Sequence, residues 1–163
     1  MVSLKVTVPS GEITSRLRDR LRGNAVTTAT KVVWQRPDGQ RLLLYLDATF
    51  KAKLLDGWIF CQLDAQTDQT ARQTLQFAFF VGRPLDGDSV QAAASLKAVT
   101  PGAAQIAAVF GPDLQRVLWD AVLDALEAMV FEAAKKAPGQ PLTLKGYTCN
   151  SDVLSAEVIT GAF

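Results

Sequence analysis

The chain contains no histidine at all, and no other absence excludes so much chemistry. Without imidazole there is no Ser-His-Asp or Cys-His nucleophile system, no histidine-ligated zinc, and no side chain whose ordinary pKa lies near neutrality. The phosphate-cradling patterns G-x-x-x-x-G-K-[ST] and G-x-G-x-x-G are missing, and no S-x-x-K pair offers a lysine-activated serine. No cofactor is expected. An excess of one charge is lacking too: 17 basic against 16 acidic side chains leave +1, which gives no global pull toward nucleic acid or membrane. No apolar run approaches the ~18 residues needed to span a bilayer, and the opening MVSLKVTVPSGE lacks the apolar stretch of a secretory signal. The expectation is a soluble cytoplasmic protein with no membrane span. Only two cysteines occur, Cys61 in an apolar run and Cys149 near a turn, so reduced thiols are expected rather than a disulfide framework.

What is present is enough apolar material, 48% of 163 residues, to build one globular domain spanning 1–163. Val2, Leu4, Val6 and Val8 alternate with polar residues and predict a strand ended by Pro9. Ser10 is placed to cap a helix over residues 11–22, whose Ile13, Leu17 and Leu21 form one narrow apolar stripe. From Val26 to Gly82 four antiparallel strands are expected. Pro37-Asp38-Gly39 and Asp56-Gly57 supply hairpin turns, with the first strand running from Ala25 to Arg36 and the third from Trp58 to Ala65. The stretch between those turns would make one strand near 50 Å long, far beyond the usual ~20 Å, so a break is expected near residues 48–51. A polar loop over 66–70 leads to the fourth strand, 71–82.

The second half reads as helical before it returns to strand. Residues 88–98 are Ala-rich and favour helix, Thr100-Pro101 opens a short helix ending by Gly111, and Pro112 restarts the chain. A long helix over 112–137 shows a wide apolar face, and Pro138-Gly139 stops it. Residues 142–149 and 153–160 make a terminal hairpin about Asn150-Ser151-Asp152. The resulting fold class is α+β: a curved antiparallel meander packed against a long helix from the C-terminal half and closed by the terminal hairpin.

Charged clusters admit bland readings first. Asp86-Gly87-Asp88 resembles the start of a calcium loop, but Gln91 stands where that loop needs Gly and Lys97 where it needs Glu, so a turn is expected and no metal site. Asp113, Arg116, Asp120, Asp124 and Glu127 recur at helical spacing, as a solvated stripe would; a magnesium site or a dock for a basic partner is the sharper alternative. Arg16, Arg18, Arg20 and Arg22 surround Asp19 and could meet phosphate or an acidic surface, against the simpler reading of a solvated helix. Residues 1–60 carry ten basic and five acidic side chains, about +5, and the remainder about −4, an asymmetry that could steer self-association. Aromatic and basic residues do not interleave along the sequence, so specific nucleic-acid binding is not expected.

The sharpest feature is the two-sided apolarity of the four strands. Leu42, Leu44 and Leu46, Ile59, Cys61 and Leu63, and Leu75, Phe77, Phe79 and Val81 form core faces, yet Leu43, Tyr45, Trp58, Phe60, Ala78 and Phe80 lie on the opposing parity. Three covers compete for that set: the chain's own helices, chiefly residues 88–110 and the N-terminal helix; a second subunit; or a small apolar ligand. The leading functional expectation is a non-catalytic binding or assembly protein, a homodimeric adaptor- or chaperone-like module. It would use Leu43, Tyr45, Trp58, Phe60 and Phe80 for a protein partner or small apolar ligand. The alternative is a cofactor-free isomerase or cyclase in which buried Asp47 or Asp64 acts as base and Tyr45 or Tyr147 donates a hydrogen bond. A carboxylate of raised pKa in a closed apolar cavity would mark that enzyme.

Overall fold

The computed structural model describes residues 2–23, 26–28, 30–81 and 93–161. Along the chain these form β1 (Val2–Pro9), α1 (Ser10–Arg22), β2 (Val26–Thr27), β3 (Lys31–Gln35), β4 (Arg41–Tyr45), β5 (Lys51–Leu55) and β6 (Trp58–Thr67). There follow β7 (Gln73–Phe80), β8 (Ala93–Lys97), α2 (Pro101–Lys136), β9 (Leu142–Asn150) and β10 (Val153–Thr160). The architecture is α+β with two antiparallel sheets.

The larger sheet is seven-stranded and is organised by β6. One edge of this ten-residue strand pairs with β5 along Trp58–Gln62 and with β4 along Asp64–Thr67, while its other edge carries β7 and then β8. The expected break is therefore real. It falls between Leu46 and Phe50, where Asp47 and Thr49 form a turn and Phe50 N donates to Asp47 O, so that β4 and β5 share one long neighbour. At the Asp56-Gly57 hairpin both residues take positive φ, 52° and 85°, as this two-residue turn requires.

The smaller sheet has the order β1-β10-β9, so the N-terminal strand pairs with the terminal hairpin. Its β9–β10 turn is tied to the β5–β6 turn of the larger sheet. Gly57 N donates to Cys149 O at 2.7 Å, Asp152 N donates to Leu54 O at 2.9 Å, and Leu54 N donates to the Asp152 carboxylate at 3.1 Å.

Both helices lie on one side. α1 buries Ile13, Leu17 and Leu21 completely, and α2 sets Ile106, Phe110, Leu114, Leu118, Val122 and Met129 into the same core as Val32, Leu44, Ile59, Leu63, Leu75 and Phe77. Trp119 of α2 stacks on Phe79 of β7, with ring centroids 5.9 Å apart. No helix among the described residues is long and apolar enough to cross a membrane.

Five expectations need correction. Ser10 does not cap α1 with its side chain: it is the first helical residue, and its backbone N–H donates instead to Asp152 O. The first meander strand is broken into β2 and β3, while β6 runs on into the segment read as loop. Residues 93–97, read as part of an Ala-rich helix, form strand β8 because pairing with β7 outweighs their helix propensity; residues 82–92, with the Asp86-Gly87-Asp88 turn, lie outside the described residues. The break expected at Gly111-Pro112 is absent, and one 36-residue helix runs through it. Thr100 does cap that helix, its hydroxyl accepting from Ala103 N at 3.1 Å.

Candidate functional site

Alternation along β6 decides what the larger sheet shows to each side. Ile59, Cys61, Leu63 and Ala65 point toward the helices and are buried, so Trp58, Phe60, Gln62, Asp64 and Gln66 project from the outer face. Cross-strand register extends that face. Trp58 sits between Leu55 and Phe80, Phe60 between Lys53 and Ala78, and Gln62 between Lys51 and Gln76, with Ser95 and Lys97 of β8 beside Ala78 and Gln76. Leu43 and Tyr45 continue it on β4, opposite Gln66 and Asp64.

Among the described residues, neither helix covers this set; residues 88–92 of the expected cover lie outside them. Both α1 and α2 pack on the opposite face, and none of Leu43, Tyr45, Trp58, Phe60, Ala78 or Phe80 belongs to the buried core. Phe60 is 40% exposed and Leu55 38%. The aromatic rings pack on one another instead: Trp58 lies 5.0 Å from Phe80 and 6.2 Å from Phe60, centroid to centroid. One continuous apolar surface results.

Lys51, Lys53 and Lys97 stand exposed beside it, and none of the three has a carboxylate partner among the described residues. This contrasts with the arginines. Arg20 pairs with Asp124 at 2.8 Å and approaches Asp120 at 3.9 Å, Arg36 meets Asp38 and Asp113, and Arg41 meets Asp68. Arg20 thus ties the basic helix to the acidic stripe across the α1–α2 contact, while Arg16 pairs with Glu12 inside α1. Arg18, for its part, lies over the Phe50 ring.

Farther along the outer face is a polar cluster. Arg72 donates from Nε to Asp64 Oδ2 at 2.8 Å and from Nη2 to Asp47 Oδ2 at 3.2 Å, while its guanidinium lies 3.9 Å over the Tyr45 ring. Thr74 Oγ1 donates to the second Asp64 oxygen at 2.7 Å, and the Tyr45 hydroxyl donates to Gln66 Oε1 at 2.6 Å. The Thr49 hydroxyl and backbone N–H both donate to Asp47, and with Arg72 they hold its carboxyl below the usual carboxylate range. This is the reverse of what a general base in an apolar cavity requires. Asp64 has both oxygens occupied by donors.

Tyr147 is not part of that cluster. It lies buried on β9, its hydroxyl donating to Leu126 O of α2 at 3.2 Å, and burial pushes its pKa up. The four residues of the isomerase alternative therefore split, with Tyr45, Asp47 and Asp64 on the outer face, where Asp64 is buried under its donors, and Tyr147 in the core. Burial pushes both thiols up to about 12, so neither cysteine offers a nucleophile.

Sequence reasoning found the aromatic set but missed its basic margin. The Asp56-Gly57 hairpin register pairs Lys53 with Phe60 and Leu55 with Trp58, a signal that was available in the sequence. Lys97 was hidden by the helical reading of its segment. No family model, no curated protein and no solved structure matches the chain.

Proposed function

We propose that the chain is a non-catalytic binding module, placed in the cytoplasm, that takes a protein partner on the outer face of its larger sheet. The observation that carries this reading is the cluster of Leu55, Trp58, Phe60, Ala78 and Phe80 on the side opposite both helices. Contiguous apolar surface on a soluble fold marks an interaction site, and tryptophan and neighbouring aromatics are the side chains that anchor protein interfaces. The open sheet suits a protein surface better than a small apolar ligand, which needs a concave pocket to bury most of its area. The margin of Lys51, Lys53 and Lys97 suits a partner surface of opposite charge, which the same lysine-edged face of a second copy does not supply, so a different protein fits better.

Photo-crosslinking in the native cell tests this. With benzoylphenylalanine replacing Phe60 or, as a control, exposed Phe131 of α2, the Phe60 variant gives an adduct with a distinct protein that the Phe131 variant does not give. Adducts from position 131 alone, or adducts only with a second copy of the chain, would contradict the proposal.

A further inference from the structure

Three lysines carry this inference, because on the outer sheet face the described residues leave their positive charge without a carboxylate partner. Arg20, Arg36, Arg41 and Arg72 each have carboxylate partners within the fold, whereas Lys51, Lys53 and Lys97, exposed on the outer sheet face, have none among the described residues. All three border the apolar cluster: Lys53 is the register partner of Phe60, Lys51 of Gln62 and Lys97 of Gln76, and Gln62 and Gln76 are partners of each other. On this face the carboxylates Asp47 and Asp64 are both engaged by Arg72. Such a surface presents an apolar centre with positive charge along one side.

Resting on the reading that this face is the binding surface, we infer that its partner is a protein segment with apolar anchor residues flanked by Asp or Glu. The anchors would cover Trp58, Phe60 and Phe80, and the acidic flank would lie along Lys51, Lys53 and Lys97. Charge complementarity of this kind steers encounter and rejects wrong partners more than it adds affinity. A single-stranded nucleic acid shares the negative charge but needs ring faces open to successive bases. Here the Trp58 ring is flanked by both phenylalanines, 5.0 and 6.2 Å away, which favours side-chain anchors over stacked bases.

The test is an amide chemical-shift titration of the full chain with synthetic peptides that share one Leu/Trp centre and differ in flanks: acidic, neutral or basic. Oligothymidylate is titrated in parallel. The acidic peptide should shift the amides around Lys53, Phe60, Ala78 and Lys97 and bind more tightly than the neutral one. Its affinity should fall about tenfold in the Lys51→Gln, Lys53→Gln, Lys97→Gln variant and fall again with added salt. Equal binding of acidic and neutral peptides at this face, unchanged in the lysine variant, would overturn the acidic partner and leave the protein-binding reading standing. Shifts confined to the helical side, or no shifts with any peptide, would overturn both. If oligothymidylate moves the same amides at lower concentration than the acidic peptide, the partner is nucleic acid and the inference fails. Concentration-dependent changes at those amides in the free protein would assign the face to a second copy, with the same consequence.

Discussion

Arg72 and Asp64 show how one residue can look catalytic in sequence and structural in space. Asp64 lies in a strand among apolar residues, which suggests a buried base; it is buried, but on the outer face, where Arg72 and Thr74 occupy both its oxygens. Replacing Asp64 with Ala removes the acceptor of Arg72 Nε and of Thr74 Oγ1, while Arg72 keeps Asp47, and should lower stability by about 1–3 kcal/mol in urea unfolding. Asp47 gives a pH signature. Its pKa is lower in the folded chain than in the unfolded one, so its contribution is complete above the unfolded value near ~4 and is lost as pH falls through the lower folded value. Asp47→Asn should therefore lose less stability than the wild type between neutral pH and ~pH 3 when unfolding midpoints are compared. The thiols give a third residue-scale prediction. Cys61 and Cys149, both buried and both pushed up to about 12, should resist iodoacetamide at about pH 8 in the native protein and react once it is unfolded.

Strands and helices were legible to different degrees. The hairpins at Pro37-Asp38-Gly39, Asp56-Gly57 and Asn150-Ser151-Asp152 could be read because their turn residues specify backbone conformation locally; Asp56, Ser151 and Asp152 all take positive φ. The break before β5 followed from strand length alone. Strand β8 could not be read, since Ala93–Lys97 has little β propensity of its own and is fixed by pairing with β7. Continuity of α2 through Pro112 was equally hidden. Proline removes one helical hydrogen bond, but Phe110 and Leu114 on either side are buried, and Gly111 packs so closely that a Cβ there would sit 2.8 Å from Leu96 Cδ2. Burial on both sides of the proline outweighs the local defect. Parity within β6 and β7 makes a direct prediction: Phe77→Ala, on the core face, should cost about 3–5 kcal/mol, while Phe60→Ala, on the outer face, should change stability by ~0.5 kcal/mol or less.

At the scale of the whole molecule, folding brings three arginines of the basic first part of the sequence onto acids of the remainder. Arg20 with Asp124, Arg36 with Asp113 and Arg41 with Asp68 each join a base of residues 1–60 to an acid of residues 61–163, while Arg72 pairs with Asp47 and Asp64 on the outer sheet face. The sequence announced a second apolar face without saying what covers it, because cover depends on which side of the sheet the helices choose. They choose the same side, and among the described residues neither helix covers the outer face with its lysine margin. Hydroxyl-radical footprinting read by mass spectrometry, on the purified protein and inside cells, tests that claim most directly. Phe60 should be oxidised in the purified protein far faster than buried Phe77, as exposed Phe131 is, and in cells Phe60 should be protected while Phe131 is not. Slow oxidation of Phe60 in the purified protein, or equal protection of Phe60 and Phe131 in cells, would contradict the account.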